Sequence, residues 1–97
     1  MPVREREAAA KAASQLLDEG LIACANILPA MRSLYVWNGK RGEAREYGAL
    51  FKTAASLLEP AIARLAAIHP YETPVICGWL ADATAPATAA WLGKLGR

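Results

Sequence analysis

The stretch His69-Pro70-Tyr71-Glu72-Thr73-Pro74 decides how the second half of this chain is connected. A proline disfavours the α conformation in the residue before it, so His69 and Thr73 are both biased toward extended backbone. The stretch therefore ends a helix at about Ile68 and leads into the apolar run 75–80, which predicts a strand. A rigid connector of this kind holds its side chains at a fixed place, where functional groups often lie. The alternative is a stiff turn without chemistry.

The composition indicates a single domain, residues 1–97, with a mixed surface charge. Of the 97 residues 55% are hydrophobic, and the chain has eleven basic and nine acidic residues, which give a net charge of +2. The basic residues do not form the stripe typical of nucleic-acid-binding proteins. The sequence also has no run of 18 apolar residues, so it predicts no membrane span. A small chain this apolar is expected to bury surface against copies of itself. We therefore expect a cytoplasmic protein whose partners are further copies of the chain, without nucleic acid or membrane.

The first half of the chain predicts a helix followed by a hairpin. Apolar residues at three- and four-residue spacings mark a helix over 4–19, and Gly20 suits its left-handed cap. Residues 21–37 and 45–53 alternate as strands, and Pro29 indicates a bend or bulge in the first of them. Asn38-Gly39 between the strands is the dipeptide with the strongest preference for a tight hairpin turn.

Two further helices are predicted from the residues that begin them. Ser56 and Glu59 fit a capping box, in which each side chain satisfies a backbone N–H at the helix start. Pro86 suits the first turn of a short helix that continues through Trp91 and Leu92.

This order of elements predicts an α+β sandwich close to the ferredoxin-like (split βαβ) plan, with the helices on one face of the sheet. That plan begins with a strand placed between the strands 45–53 and 75–80, whereas here only Met1-Pro2-Val3 precedes the first helix. We expect the fold to lack its first strand, or the chain to start downstream of its true start. Unpaired backbone groups on the two neighbouring strands would each cost about 1–3 kcal/mol where buried.

Cys24 and Cys77 lie far apart in the sequence and fit no CxxC or CxxH spacing. A structural zinc site or a redox pair therefore has no support in the spacing. Both are predicted to be small buried apolar residues.

An ordered set of short motifs runs through residues 16–91. Its members are Ala23-Cys24, Asn26-Ile27, Pro29, Ser33-Leu34-Tyr35, Trp37 with Gly39-Lys40, Glu46, Lys52-Thr53, and His69-Pro70-Tyr71-Glu72 with Pro74. The set resembles the CutA-type divalent-cation tolerance family. The resemblance implies a ferredoxin-like subunit in a tight homotrimer, a cytoplasmic location, and a link to tolerance of copper and other divalent cations. Two positions depart from the family pattern, since Val75 and Asn38 stand where an acidic residue is usual.

The candidate metal ligands are His69, Cys24 and Glu72. Neutral imidazole and thiolate are good ligands for copper or zinc, and a carboxylate is a suitable third partner. The three would meet only if the fold or a neighbouring subunit brings them together, and the alternative for Cys24 is an inert strand residue. With Val75 in place of a carboxylate, we expect copper or another divalent cation to bind weakly, mainly through His69.

Trp37, Lys52 and Tyr71, together with Glu72, suggest a pocket with aromatic walls, one cation and one carboxylate. Such a pocket suits a small anion or metabolite, but aromatic residues also anchor subunit interfaces. An enzyme is not expected, because the sequence has no phosphate-cradling glycine loop and no serine with a base partner. The sequence thus favours a homotrimer in divalent-cation tolerance. The alternatives are a purely structural trimeric scaffold and a PII-like signalling protein that senses a small ligand.

Overall fold

The computed structural model describes residues 1–71 and 74–95. Its elements in chain order are β1 (Pro2–Val3), α1 (Arg6–Asp18), β2 (Cys24–Trp37), β3 (Lys40–Lys52), a 3-10 turn (Ala55–Leu57), α2 (Leu58–Ile68) and α3 (Pro86–Leu92). The strands form one antiparallel sheet in the order β1-β3-β2. Within these residues no helix has the length and apolar character needed to cross a bilayer.

β2 and β3 form one long hairpin that closes at Asn38 and Gly39. Both turn residues have positive φ, 52° and 76°, as the Asn-Gly dipeptide predicts. The register of the ladder shifts between Ile27 and Ala30. Pro29 lies in this shift because proline has no N–H to offer the ladder, so the predicted bulge is confirmed.

The two hairpin strands begin at different residues from those predicted. β3 starts at Lys40 and not at Arg45, because the polar residues after the turn continue the ladder as far as the pair Trp37–Lys40. β2 starts at Cys24 and not at Leu21, since the residues before Cys24 complete the turn after α1.

The core lies between the two long helices and one face of the sheet. α1 and α2 supply most of its buried side chains, and the cluster consists of Ala12, Leu16, Ile22, Ala61 and Leu65. Phe51 of β3 packs against this cluster. Leu16 and Ile22 are at most 2% exposed, and full burial of such a side chain is worth about 1.5–3 kcal/mol. Gly20, at φ 70°, ends the turn after α1 in the left-handed conformation expected of it.

The opposite face of the sheet is apolar and accessible to solvent. Neighbouring strand residues point to opposite faces, so Leu50 points away from the core against which Phe51 packs. The side chains of Leu28 and Met31 lie over Gly48 on that same side, where an added Cβ would be 3.2 Å and 3.4 Å from them. Leu28, Met31 and Leu50 are 38%, 37% and 46% exposed. We call these three residues the open face.

Residues 75–80 do not form a strand, so the third predicted strand is wrong. The neighbour that the fold plan gives this segment is β1, and β1 supplies only Pro2–Val3 to the sheet. A ladder of two residues leaves the segment without hydrogen-bonding partners along its length. Ile76 still packs against the core, whereas Val75 and Trp79 are 68% and 74% exposed. The first strand, expected to be missing, is present but only two residues long, and so short a strand offers the segment 75–80 no partner along its length.

Two smaller predictions also fail. Ser56 and Glu59 form no capping box, because the chain enters α2 through a 3-10 turn and Leu57, without a capping side chain, occupies the N-cap position. Cys77 is exposed and not buried, because the segment around it lies outside the sheet, while Cys24 is half-buried.

Candidate functional site

The imidazole of His69 bridges two distant parts of the chain. His69 is the C-cap of α2 with extended backbone, φ −68° and ψ 138°, as the following proline requires. Its Nε2 lies 3.0 Å from the backbone oxygen of Pro2, and the backbone N–H of Tyr71 donates to its Nδ1 at 3.0 Å. A carbonyl only accepts and an amide N–H only donates, so Nε2 carries the proton and Nδ1 the lone pair. The contacts select a neutral imidazole in the Nε2–H tautomer.

The phenol of Tyr71 fastens the same loop to the sheet. Its hydroxyl donates a 2.7 Å hydrogen bond to Oε2 of Glu46, which is on β3 and is only 8% exposed. The rings of Tyr71 and His69 meet edge to face with centroids 4.7 Å apart, and the guanidinium carbon of Arg4 lies 5.7 Å from the Tyr71 ring centroid. We call the hydrogen-bonded set of Pro2, Glu46, His69 and Tyr71 the loop latch.

The surroundings of the loop latch keep both of its rings uncharged at neutral pH. Burial, reinforced by the hydrogen bond and the charge of Glu46, raises the pKa of Tyr71 to about 12. Burial also lowers the pKa of His69 from its usual 6.5, although the Pro2 carbonyl acts in the opposite direction. A neutral imidazole and a protonated phenol are the forms that the hydrogen bonds require.

The structure places Cys24 away from His69 within one subunit. His69 contacts Pro2, which pairs with Gly48, whereas Cys24 pairs with Lys52 on the far side of β3. Gly48 and Lys52 are four residues apart along β3, which is about 13 Å. Pro2 and Cys24 also lie on opposite sides of β3, two strand spacings or about 10 Å apart across the sheet. A ligand set that contains both side chains therefore requires a second subunit.

Glu72, the third candidate ligand, lies outside the described residues. In the parts of the chain that the structure describes, no three histidine, cysteine, aspartate or glutamate side chains are grouped closely enough to hold a metal ion. The Sγ of Cys24 lies 3.9 Å from the side-chain oxygen of Asn26.

His69 shows only part of the arrangement of a metal-binding imidazole. Histidine ligands usually donate their second ring N–H to a carbonyl or carboxylate, which fixes the tautomer. Here Nε2–H donates to the Pro2 oxygen, and Nδ1 carries a lone pair. That lone pair already accepts the N–H of Tyr71, so within the described residues His69 has no free ring nitrogen and does not make a metal site by itself.

The predicted pocket is not assembled within one subunit. Trp37 pairs with Lys40 beside the hairpin turn and is 53% exposed. Lys52 is at the other end of β3, twelve residues and about 40 Å of extended chain from Lys40. Tyr71 belongs to neither end and lies in the loop latch.

Two residues of the site received no functional role from the sequence. Glu46 is a carboxylate at the point where β3 enters its buried half, and a charged side chain there is expected to have a partner. The sequence thus indicates that Glu46 has a partner, but it does not indicate that this partner is Tyr71. Arg4 gave no signal, because its place over Tyr71 depends on how β1 docks onto β3.

The antiparallel sheet in the order β1-β3-β2, with α1 and α2 on one face, is a ferredoxin-like α+β fold. The family model described as "CutA1 divalent ion tolerance protein" matches residues 1–94. The chain therefore belongs to the CutA1 family, as the motif resemblance implies.

Curated relatives share substantial sequence with the chain. The "Divalent-cation tolerance protein CutA" of Pyrococcus horikoshii is 46% identical over 70 residues, which cover 72% of this chain and 68% of that protein. The protein of the same name from Thermus thermophilus is 38% identical over 74 residues, 76% of this chain and 72% of that one. "Protein CutA, chloroplastic" of Arabidopsis thaliana is 40% identical over 76% of this chain. The chain spans only 41% of the length of that plant relative.

Solved structures confirm the fold class. Crystal structures of CutA1 from Pyrococcus horikoshii and from Ehrlichia chaffeensis match with TM-scores of 0.88 and 0.89, at 35% and 32% identity. The matches cover 96% and 95% of this chain, and 90% and 86% of those chains.

Proposed function

We propose that this protein serves divalent-cation tolerance as a homotrimer that binds copper or another divalent cation weakly, without enzymatic activity. Membership of the CutA1 family supports the general role, and relatives in this family are named as divalent-cation tolerance proteins. The observation that carries the metal-binding part is the neutral imidazole of His69, with its lone pair on Nδ1 and its N–H on a backbone carbonyl.

His69 is the ligand that this subunit offers first. Its backbone is held by Pro70 and its tautomer by Pro2, so little conformational entropy is lost on binding. Cys24, half-buried on β2, would join only from a neighbouring subunit, and Glu72 is the adjacent carboxylate in the sequence. Copper(II) stands highest for nitrogen and oxygen ligands in the usual affinity order, so it is expected to bind ahead of zinc.

The open face supports self-association. Leu28, Met31 and Leu50 present contiguous apolar surface on a sheet whose other side is already filled by helices. An exposed apolar sheet face is stabilised by burial against another copy. Light scattering at micromolar concentration is expected to give three times the subunit mass, and a stable monomer would contradict the homotrimer.

The metal-binding part is tested by calorimetric titration with copper and zinc at pH 7.5 and 5.5. His69→Ala is expected to lose most of the copper affinity and Cys24→Ser much less. Affinity is expected to fall at pH 5.5, because the imidazole must be deprotonated to bind. If His69→Ala, folded by circular dichroism, binds copper as tightly as the parent, the histidine only ends the helix and fastens the loop.

A purely structural trimeric scaffold is the second candidate function. It is favoured by the fact that both ring nitrogens of His69 are already hydrogen-bonded. The melting temperature separates the two functions, since only a metal-binding protein is stabilised by added copper. A small-ligand sensor of the PII type would instead respond to an anion or metabolite and not to the metal.

A further inference from the structure

We propose that the outer part of the β2–β3 hairpin binds the phosphate group of a small phosphorylated ligand between the guanidinium groups of Arg32 and Arg45. The site lies beyond the bulge at Pro29 and shares no residue with the loop latch. It is therefore independent of the metal binding proposed for His69.

The register of the hairpin gathers three arginines on one face. Arg32 lies directly opposite Arg45 in the ladder. Directly opposite residues point to the same face of a sheet, and every second residue along a strand joins them there. The face consists of Arg32, Leu34 and Val36 on β2 and of Arg41, Glu43 and Arg45 on β3. We call these six residues the arginine face.

The arginine face carries more positive charge than its own carboxylate neutralises. Glu43 is the acidic residue of the face, and it accepts a hydrogen bond from Nε of Arg32. Among the described residues, no carboxylate lies within ion-pair distance of Arg41 or Arg45. Like charges directly opposite each other destabilise a sheet. An anion between Arg32 and Arg45 would thus remove a repulsion as well as supply two arginines with a partner.

The hairpin leaves space for such an anion. A depression of about 420 Å³ lies over its outer part, lined by Ala30, Met31, Arg32, Glu43, Ala44 and Arg45. On the same face of β3, Tyr47 still meets α1, since the guanidinium carbon of Arg6 is 5.4 Å from the centroid of its ring. Farther out, Glu43 and Arg45 are exposed. The depression therefore begins where the cover of the helices ends.

Two guanidinium groups on one anion favour a phosphate over a carboxylate. A single guanidinium already occupies both oxygens of a carboxylate when the pair is bidentate. A phosphate monoester has three terminal oxygens, so it can accept from Arg32 and Arg45 at once. Leu34 and Val36 are 59% and 67% exposed on the same face. An apolar substituent on the phosphate would cover this surface, which inorganic phosphate cannot do.

Glu43 competes with the ligand for the same donors. Its carboxylate holds Nε of Arg32 and repels an incoming phosphate. Glu43→Gln is therefore expected to strengthen phosphate binding about three- to tenfold, and Arg45→Gln to weaken it by a similar factor, because an exposed charge pair is worth little more than this.

The test is a calorimetric titration with phenyl phosphate at pH 7.5 and constant ionic strength. It compares the parent with Arg45→Gln and Glu43→Gln. Arg64→Gln and Glu19→Gln are the matched controls, since they make the same changes of charge in an ion pair away from the hairpin. Both controls are expected to bind phenyl phosphate within about twofold of the parent, because exposed charges farther away than a Debye length are largely screened.

The melting temperature supplies a second readout. Phenyl phosphate is expected to raise it in the parent. Arg45→Gln, which relieves the repulsion, is expected to melt at least as high as the parent without ligand and to gain less when the ligand is added.

Three results would contradict the proposal. A folded parent that does not bind phenyl phosphate would overturn it, and so would equal losses of affinity in Arg45→Gln and Arg64→Gln. Inorganic phosphate that binds as tightly as phenyl phosphate would rule out a role for Leu34 and Val36 and thus the phosphorylated ligand. None of these results bears on the metal binding proposed for His69.

Discussion

The hydroxyl of Tyr71 donates to Oε2 of Glu46 across 2.7 Å, although 25 positions separate the two residues in the sequence. Glu46 is 8% exposed, so this phenol replaces water that the carboxylate would otherwise bind. The bond attaches the loop after α2 to β3, and the imidazole of His69 attaches the same loop to β1. The stability of the loop after α2 and its response to pH therefore depend on the side chains of Glu46, His69 and Tyr71.

Removal of the phenolic hydroxyl of Tyr71 is expected to destabilise the fold by a modest amount. Tyr71→Phe leaves a nearly buried carboxylate without its partner, and we expect a loss of about 1 kcal/mol in the free energy of unfolding, reduced from the usual range because Tyr71 is partly exposed. Urea titration measures the loss, and Tyr47→Phe serves as the control. Equal midpoints for the two variants would show that the bond to Glu46 adds nothing to stability.

Alkaline conditions are expected to weaken the fold through Tyr71. Its pKa is raised to about 12, above the value near 10 of an unfolded tyrosine. The folded state therefore keeps a proton that the unfolded state releases, and the stabilisation is complete below pH 10 and is lost as pH rises toward 12. Absorbance at 295 nm is expected to show one tyrosine that titrates near pH 12, absent in Tyr71→Phe. A parent in which every tyrosine titrates near pH 10 would contradict this.

Mild acid is expected to weaken the same corner through His69. Burial lowers its pKa below the 6.5 of an unfolded histidine, so between the two values the unfolded state binds more protons than the folded one. Stability is then complete above pH 6.5 and falls as pH drops toward the lowered pKa. Protonation of Nδ1 also turns an acceptor into a donor that faces the Tyr71 N–H. Melting temperatures from pH 8 to pH 5 measure the effect.

His69→Gln is the control for the acid response, because glutamine does not titrate in this range. It is expected to be less stable than the parent at pH 7.5 but to have a flatter pH profile between 6.5 and 5. Parallel profiles for the two proteins would assign the acid sensitivity to other groups.

A charge on the open face is expected to separate the subunits. Leu50→Lys places an ammonium group on apolar surface that self-association would bury, which disfavours the assembly without touching the core. Leu17→Lys on α1 is a matched control, since Leu17 and Leu50 are both 46% exposed and lie on opposite sides of the subunit. Light scattering is expected to show monomers for Leu50→Lys and an unchanged mass for Leu17→Lys. The reverse outcome would place the interface on the helices.

Local features of the fold could be predicted from the sequence because they depend on neighbouring residues. Asn38-Gly39 selects its turn through positive φ at two adjacent positions, and Pro29 disrupts the ladder by its own missing N–H. Residues 75–80 have the composition of a strand, yet a strand also needs a neighbour. That neighbour, β1, is only two residues long.

The sequence indicated the backbone position of His69 but not the contacts of its side chain. Pro70 correctly indicated where α2 ends and where His69 is held. The partner of the imidazole is the Pro2 oxygen, 67 residues away in the sequence, and no local pattern encodes such a contact. The partner of Tyr71 is similarly distant, so the function of Glu46 became visible only in three dimensions.

The bulge at Pro29 divides the hairpin into two parts with separate roles. On one side of it β3 contributes Phe51 to the core, while on the other Leu34 and Val36 are 59% and 67% exposed. The molecule reaches 44 Å along its longest axis, and the hairpin beyond the Met31–Glu46 pair contributes no side chain to the core cluster. Variants shortened symmetrically beyond that pair are therefore expected to melt as the parent does, while losing whatever the outer part of the hairpin contacts.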